Sequence, residues 1–170
     1  MANMQSTLVS NEANVPIIYN KVGLYGGRTR SITTSFTSQG SGSNGDTYVL
    51  ARLNPEWRIQ HIWVWNEQAT STNVDVGLVS DVSGTAISAD ATACYADGIT
   101  FNASTSVDCR DVCMAGGTKG RTFDKYGQEV YLDAGHTTAN KLTEYFLCIT
   151  AATALANSKK VAVNVQFTVD

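Results

Sequence analysis

The segment "VAVNVQFTV", residues 161–169, constrains the fold more than any other part of the chain. Val161, Val163, Val165, Phe167 and Val169 alternate without a break with Ala162, Asn164, Gln166 and Thr168. Successive side chains of a strand point to opposite faces, so a period of two predicts a strand with one buried and one wet face. One-sided burial is the habit of antiparallel sheets. A second layer must cover the valines, and the rest of the chain has to supply it.

Other segments carry the same code. "RTRSITTSFT", starting at Arg28, puts Ile32, Thr34 and Phe36 on one face. "TYVLARL" follows the glycine- and serine-rich loop "SQGSGSNGD" as a strand. "IQHIWVW" and "NVDVGLVS" are predicted to form a pair of strands joined by a polar turn; in the second, Val74, Val76 and Leu78 share one face and Asp75 and Gly77 the other. "QEVYLD" and "KLTEYFLCIT" also read as strands. Between Gly84 and Gly127 the code weakens: "TAISADATACYADG" has room for a short helix, and "CRDVCMAGGTKGRTFDKYG" reads as loop. With only two prolines, the glycines must supply the turns. Seven or eight strands so punctuated, with no internal repeat, predict an all-β fold, an antiparallel jelly roll or β-sandwich.

Residues 1–27 follow neither a strand nor a helix period and end at Gly26-Gly27. They are expected to be an extended N-terminal arm, with residues 28–170 as the jelly-roll body. Ile17, Ile18, Tyr19, Val22, Leu24 and Tyr25 are too apolar for a tail left in solvent, which makes them candidate partner contacts. Arg28 and Arg30, just past the glycine pair, are candidates for docking on an acidic surface.

Charged residues make up 16% of the chain, well below the usual quarter, and the net charge of −3 leaves no basic footprint for nucleic acid. Lys159-Lys160 reads as a solvated turn. The opening residues lack the cationic start and apolar core of a signal peptide, and no apolar run reaches the ~18 residues of a membrane span. Synthesis in a reducing cytoplasm is the expectation, so the four cysteines are read first as thiols. Cys148 fits a small buried hydrophobe, while one disulfide among Cys94, Cys109 and Cys113 stays open.

Motifs for chemistry do not survive inspection. Gly40, Gly42 and Gly45 spell G-x-G-x-x-G, but a strand follows where dinucleotide binding needs a helix N-terminus. Cys109 and Cys113 make half a zinc site, and neither His61 nor His136 completes a finger spacing. His136, Asp133 and a distant serine would have to be assembled by folding, and no G-x-S-x-G elbow marks the nucleophile. Glu56, Glu67, Glu129 and Glu144 are scattered. Asn102-Ala103-Ser104 is a sequon by spelling alone. No cofactor and no catalytic activity are expected.

The tryptophans Trp57, Trp63 and Trp65 carry more. Strand alternation puts Ile59, His61, Trp63 and Trp65 on one face and Ile62 and Val64 on the other, so both faces are apolar. Such a strand is covered twice within its own body, packs one face on a partner subunit, or offers an aromatic platform to a sugar. All three readings are open at this point, with Trp57, Trp63 and Trp65 as subunit-interface candidates.

The run "GDTYVLARLNPEWRIQHIWVWNEQATSTNVDVGLVSD" resembles the jelly-roll cement, or decoration, proteins of tailed-phage capsids. A strand, a short turn ("LNPEWRI"), a large apolar strand ("WVW"), a polar loop ("EQATSTN") and "VDVGLVSD" follow in that family's order. "EYFLCITAATALANSKK" into "VAVNVQFTVD" is similar to its C-terminal pair of strands, read as a closing hairpin. The resemblance spans residues 28–83 and 128–170. "NPEW" stands where the family has a glycine-containing turn, and "ACYADGITFNASTSVDCRDVCMAGG" has no counterpart, which leaves room for an outer loop that contacts a receptor or glycan. The resemblance implies a homotrimer on the virion surface, made in the host cytoplasm, that clamps neighbouring major capsid protein subunits, with no nucleic acid or membrane partner. The alternative is a carbohydrate- or receptor-binding β-sandwich module on a virion.

Overall fold

The computed structural model describes residues 28–38, 44–68, 71–87, 91–102, 106–109, 127–137 and 144–169. The arm, with Ile17, Ile18, Tyr19, Val22, Leu24 and Tyr25, lies outside the described residues, as do Cys113 and most of the loop-like middle section. The described residues form eight strands: β1 (Arg28–Thr37), β2 (Thr47–Leu53), β3 (Arg58–Asn66), β4 (Thr72–Val79), β5 (Ala96–Phe101), β6 (Ser106–Asp108), β7 (Tyr145–Ala151) and β8 (Lys160–Val169). One sheet has the order β1-β8-β3-β6 and the other β2-β7-β4-β5. Every pairing is antiparallel. The wind is simple: β1 lies beside β8, β2 beside β7, β3 beside β6 and β4 beside β5. A long antiparallel ribbon folded at its middle and rolled into two sheets gives this order, which defines the jelly roll.

β8 behaves as its alternation requires. Val161, Val163, Val165 and Phe167 are buried against the second sheet, and β8 pairs without interruption along the whole of β1, Arg28 opposite Val169 and Thr37 opposite Lys160. Val74, Val76 and Leu78 of β4 and Leu147 and Ile149 of β7 meet them from the other side. Each such side chain contributes about 1.5–3 kcal/mol when fully buried.

The outer face of the β2-β7-β4-β5 sheet is covered in part, over Gly77 and Val79. Gly77 is buried there because a single 3-10 turn, Ala91–Ala93, lies directly over it. A Cβ at Gly77 would sit 2.2 Å from the Ala91 carbonyl oxygen and 2.3 Å from the Thr92 carbonyl carbon. Beside it Val79, Phe146 and Cys148 form a second small apolar cluster with Val49. Burial pushes the Cys148 thiol up to about 12.

Four expectations are corrected. "IQHIWVW" and "NVDVGLVS" are not a bonded pair: β3 lies in one sheet and β4 in the other, and the polar loop crosses between them. The closing strands β7 and β8 likewise belong to different sheets, so they form no hairpin. "QEVYLD" contains a helical turn, α1 (Val130–Asp133), not a strand. Val130, Asp133 and Ala134 turn inward at i, i+3 and i+4, a helical spacing concealed by the polar Asp133. Gly135, at φ +86°, ends the turn: His136 N–H reaches the Tyr131 carbonyl and Gly135 N–H the Leu132 carbonyl, each at 2.9 Å. Finally, Ile59 does not share the face of His61 and Trp63. A register shift between Ile59 and His61 sends Ile59 inward opposite Phe167, fully buried, and leaves Gln60 as the extra residue of a β-bulge.

Candidate assembly surface

Below the bulge, β3 alternates regularly, and its outward residues are His61, Trp63 and Trp65. Their neighbours follow from the register. Trp65 lies between Ala162 of β8 and Ser106 of β6, and Trp63 between Asn164 and Asp108. His61 faces Gln166. One strand further out, Ser35, Thr33 and Ser31 of β1 extend these rows. The outer face of this sheet is thus a grid with aromatic residues on one strand, alanine and amide side chains on the next, and hydroxyl side chains on the third.

The grid is braced. The His61 and Trp63 rings stack at 4.8 Å with 6° between planes. His61 Nδ1 lies 3.1 Å from Asp108 Oδ2, which ties β3 to β6. Asn164 Nδ2 donates to Thr33 Oγ1 at 2.8 Å, tying β8 to β1. Trp65 is 37% exposed, one of two exposed large hydrophobic residues among those described, Val82 being the other, and Trp63 is half-buried. Burying a large indole against a partner yields more than any polar contact on this face.

Trp57 lies elsewhere. It stacks on Phe167 at 4.1 Å and packs against the core just before β3 begins. Arg28 and Arg30 are exposed at the start of β1, opposite Val169 and Phe167. Trp65 lies level with Ala162. Seven residues of strand, roughly 24 Å, separate Ala162 from Val169, so the fold does not gather the arginines and Trp65 into one patch.

Potential catalytic groups are otherwise engaged. Asp133 is buried and accepts hydrogen bonds from Tyr95 Oη and Gln128 Nε2, both at 2.7 Å. The His136 ring meets Tyr145 edge-on at 5.9 Å. Glu129 is buried in an ion pair with Arg58, which also donates to the Gly127 carbonyl at 2.9 Å and so fastens α1 to the start of β3. Glu144 pairs with Arg52 at 2.6 Å on the surface. Among the described residues no three His, Cys, Asp or Glu side chains cluster to hold a metal, and no helix is long and apolar enough to cross a membrane. Sequence reading missed the His61–Asp108 and Arg58–Glu129 pairs, which join residues 47 and 71 positions apart and leave no local signal.

Among the described residues the eight strands and their order define an antiparallel jelly roll. No family model matches the chain, and no curated protein matches it significantly. Among solved structures it is similar to a chain in the capsid of Ralstonia phage GP4, with a TM-score of 0.54 and 11% identity over 85% of this chain and 86% of that one. It also matches chains in the cyanophage Pam1 capsid asymmetric unit (TM-score 0.46, 14% identity, 86% and 88% covered) and in the acid-stable capsid of Helicobacter pylori bacteriophage KHP30 (0.43, 10%, 83% and 87%). At such identities the likeness is one of fold.

Proposed function

We propose that this chain is a structural protein of a tailed-phage virion, a cement or decoration protein that binds the capsid shell and stabilises it. The observation that carries the reading is the jelly-roll wind, shared over most of both chains with a protein in the Ralstonia phage GP4 capsid. The open Trp63–Trp65 face supports it: a cement protein works by contact, and a rigid sheet presenting an indole is built for contact. In this reading the protein is a homotrimer bridging neighbouring major capsid subunits, has no catalytic role, and reaches its neighbours through the arm.

A second reading is favoured by one feature. Trp63 stands beside Asn164 and Asp108, and an aromatic ring flanked by amide and carboxylate groups suits a sugar. The test separates the two. Trp65→Ala and Trp63→Ala proteins are mixed with stripped shells and with a glycan array. Loss of shell sedimentation with no glycan signal in the parent supports cementing; glycan binding by the parent that disappears in the variants overturns it in favour of the sugar site.

A further inference from the structure

Asn44 is the one asparagine of the chain that a glycine follows. The pair forms the turn leading into β2, with Gly45 at φ +89°, a conformation that glycine adopts without strain. An asparagine side-chain carbonyl carbon can close a five-membered ring with the backbone nitrogen of the next residue, and that residue's side chain is the main obstacle. Gly45 has none. Both residues are exposed, and among the described residues a Cβ added at Gly45 would meet nothing within 4 Å. There is room for the ring and for the water that opens it.

Two hydrogen bonds oppose closure. Ala154 N–H donates to Asn44 Oδ1 at 3.2 Å, on the surface, where water competes for it. Gly45 N–H donates to the Ala151 carbonyl at 2.7 Å and must be released before its nitrogen can attack. Exchanging one such bond for water lowers the reactive population about tenfold. A factor of that size slows the reaction without forbidding it. Other described asparagines stand differently. Asn66 is fully buried, Asn73 and Asn164 lie within β4 and β8 with valine next in sequence, and Asn54 precedes a proline, which has no N–H.

We infer that Asn44 is a self-modification site, where the folded chain converts a side-chain amide into a carboxylate without an enzyme. The Gly45 nitrogen gives its proton to solvent base and bonds to Asn44 Cγ. The Cγ–Nδ2 bond breaks, and the amide nitrogen leaves as ammonia with a proton taken from water. Water then opens the succinimide at either carbonyl. Breaking the bond from nitrogen to Cγ gives aspartate; breaking the bond from nitrogen to the original backbone carbon gives isoaspartate, with the main chain rerouted through Cγ. Nothing is oxidised or reduced: amide and water become carboxylate and ammonium. Aspartate keeps an acceptor for Ala154 N–H. Isoaspartate lengthens the main chain by one carbon, which draws Gly45 N–H away from Ala151 and loosens the entry to β2, where Thr47 pairs with Thr150. None of this rests on the capsid reading.

The test incubates the purified full-length chain in heavy-oxygen water, folded and in parallel in urea, and reads each asparagine by peptide mass spectrometry. In the folded chain, label is expected at Asn44 ahead of every other described asparagine, at about a tenth of the rate in urea. The rate should rise from neutral to mildly alkaline pH, because the attacking nitrogen must lose its proton. Asn44→Gln, whose ring would be six-membered, should keep its melting temperature and lose the label. Chains carrying isoaspartate, separated by chromatography, should exchange the Ala151 amide hydrogen faster than the parent. Label at Asn44 in urea but none in the folded chain would show that the fold forbids the ring and would overturn the inference. Label spread evenly over the exposed asparagines would overturn it too.

Discussion

Replacing Gly77 with alanine adds one methyl group where the fold has no room for it. The new Cβ meets three backbone atoms, the Ala91 oxygen at 2.2 Å and the Thr92 carbonyl carbon and oxygen at 2.3 and 2.5 Å. An ordinary carbon contact is about 3.5–4.0 Å, so the Ala91–Ala93 turn must lift by more than about 1 Å. Backbone cannot swing aside as a flexible side chain can. Overpacking of this kind costs about 1–3 kcal/mol. The lift also stretches the bond from Tyr95 N–H to the Val76 carbonyl, now 3.0 Å, whose loss adds about 1 kcal/mol. Gly77→Ala is therefore expected to lose about 2–4 kcal/mol of unfolding free energy in urea. Local opening has its own reporter: Cys148, opposite Gly77 and buried beneath this cover, becomes reactive to a thiol reagent under native conditions. Gly135→Ala is the control, because its added Cβ meets nothing within 4 Å and only its φ of +86° is strained. A Gly77→Ala protein within 0.5 kcal/mol of the parent, as estimated for ordinary surface changes, with Cys148 still protected, would refute the packing argument.

Other outcomes follow from single contacts. Glu129→Ala strands the Arg58 guanidinium in a buried site and is expected to cost about 3–5 kcal/mol, whereas replacing Arg58 and Glu129 together by Met and Leu should cost much less; equal losses in urea titrations would contradict this. The Cys148 thiol is held well above its unfolded value of 9.0, so the folded state keeps its proton while the unfolded state releases it. The stability this group contributes is complete below pH 9 and declines as pH rises toward 12; Cys148→Ala should show a shallower decline in denaturation midpoints above pH 9. Burial first, then the nearby Asp97 carboxylate, raises the Asp75 pKa, against a hydrogen bond from Gly98 N–H at 2.7 Å that lowers it. Stability contributed by protonated Asp75 is present at low pH and is lost as pH climbs through its raised value, and Asp75→Asn should remove that slope while keeping the Gly98 bond. Deleting residues 1–27 should leave the melting temperature of the monomer nearly unchanged and abolish attachment to shells; unfolding of the truncated chain would make the arm part of the core.

How much of this was legible in the sequence depends on whether a segment's period was intact. β1 and β8 fall where alternation puts them, because each has one inner face and the two pair with each other without interruption. β5 escaped notice because Gly98, at φ +70°, and the register shift opposite break the alternation between Ala96 and Ile99. β6, at three residues, is too short to show a period at all. The bulge at Gln60 misassigned Ile59 for the same reason, since one extra residue inverts every face upstream of it. Sheet membership was the larger miss. Adjacent strands joined by short loops read as hairpins, yet β3 to β4 and β7 to β8 cross from one sheet to the other. Local pattern records which face is dry, not which neighbour supplies the hydrogen bonds. The tryptophans show the limit well: alternation placed Trp63 and Trp65 together, and the structure leaves Trp65 on an open face while Trp57 is taken up by Phe167.

The most direct measurement is the number of copies of this 18.2 kDa chain per major shell subunit in purified particles from its source, by quantitative mass spectrometry. The account predicts a fixed stoichiometry that repeats with the lattice, falling together with shell stability when the chain is stripped away. A few copies per particle would place it at a vertex or fibre, and absence from particles would contradict the cement assignment outright.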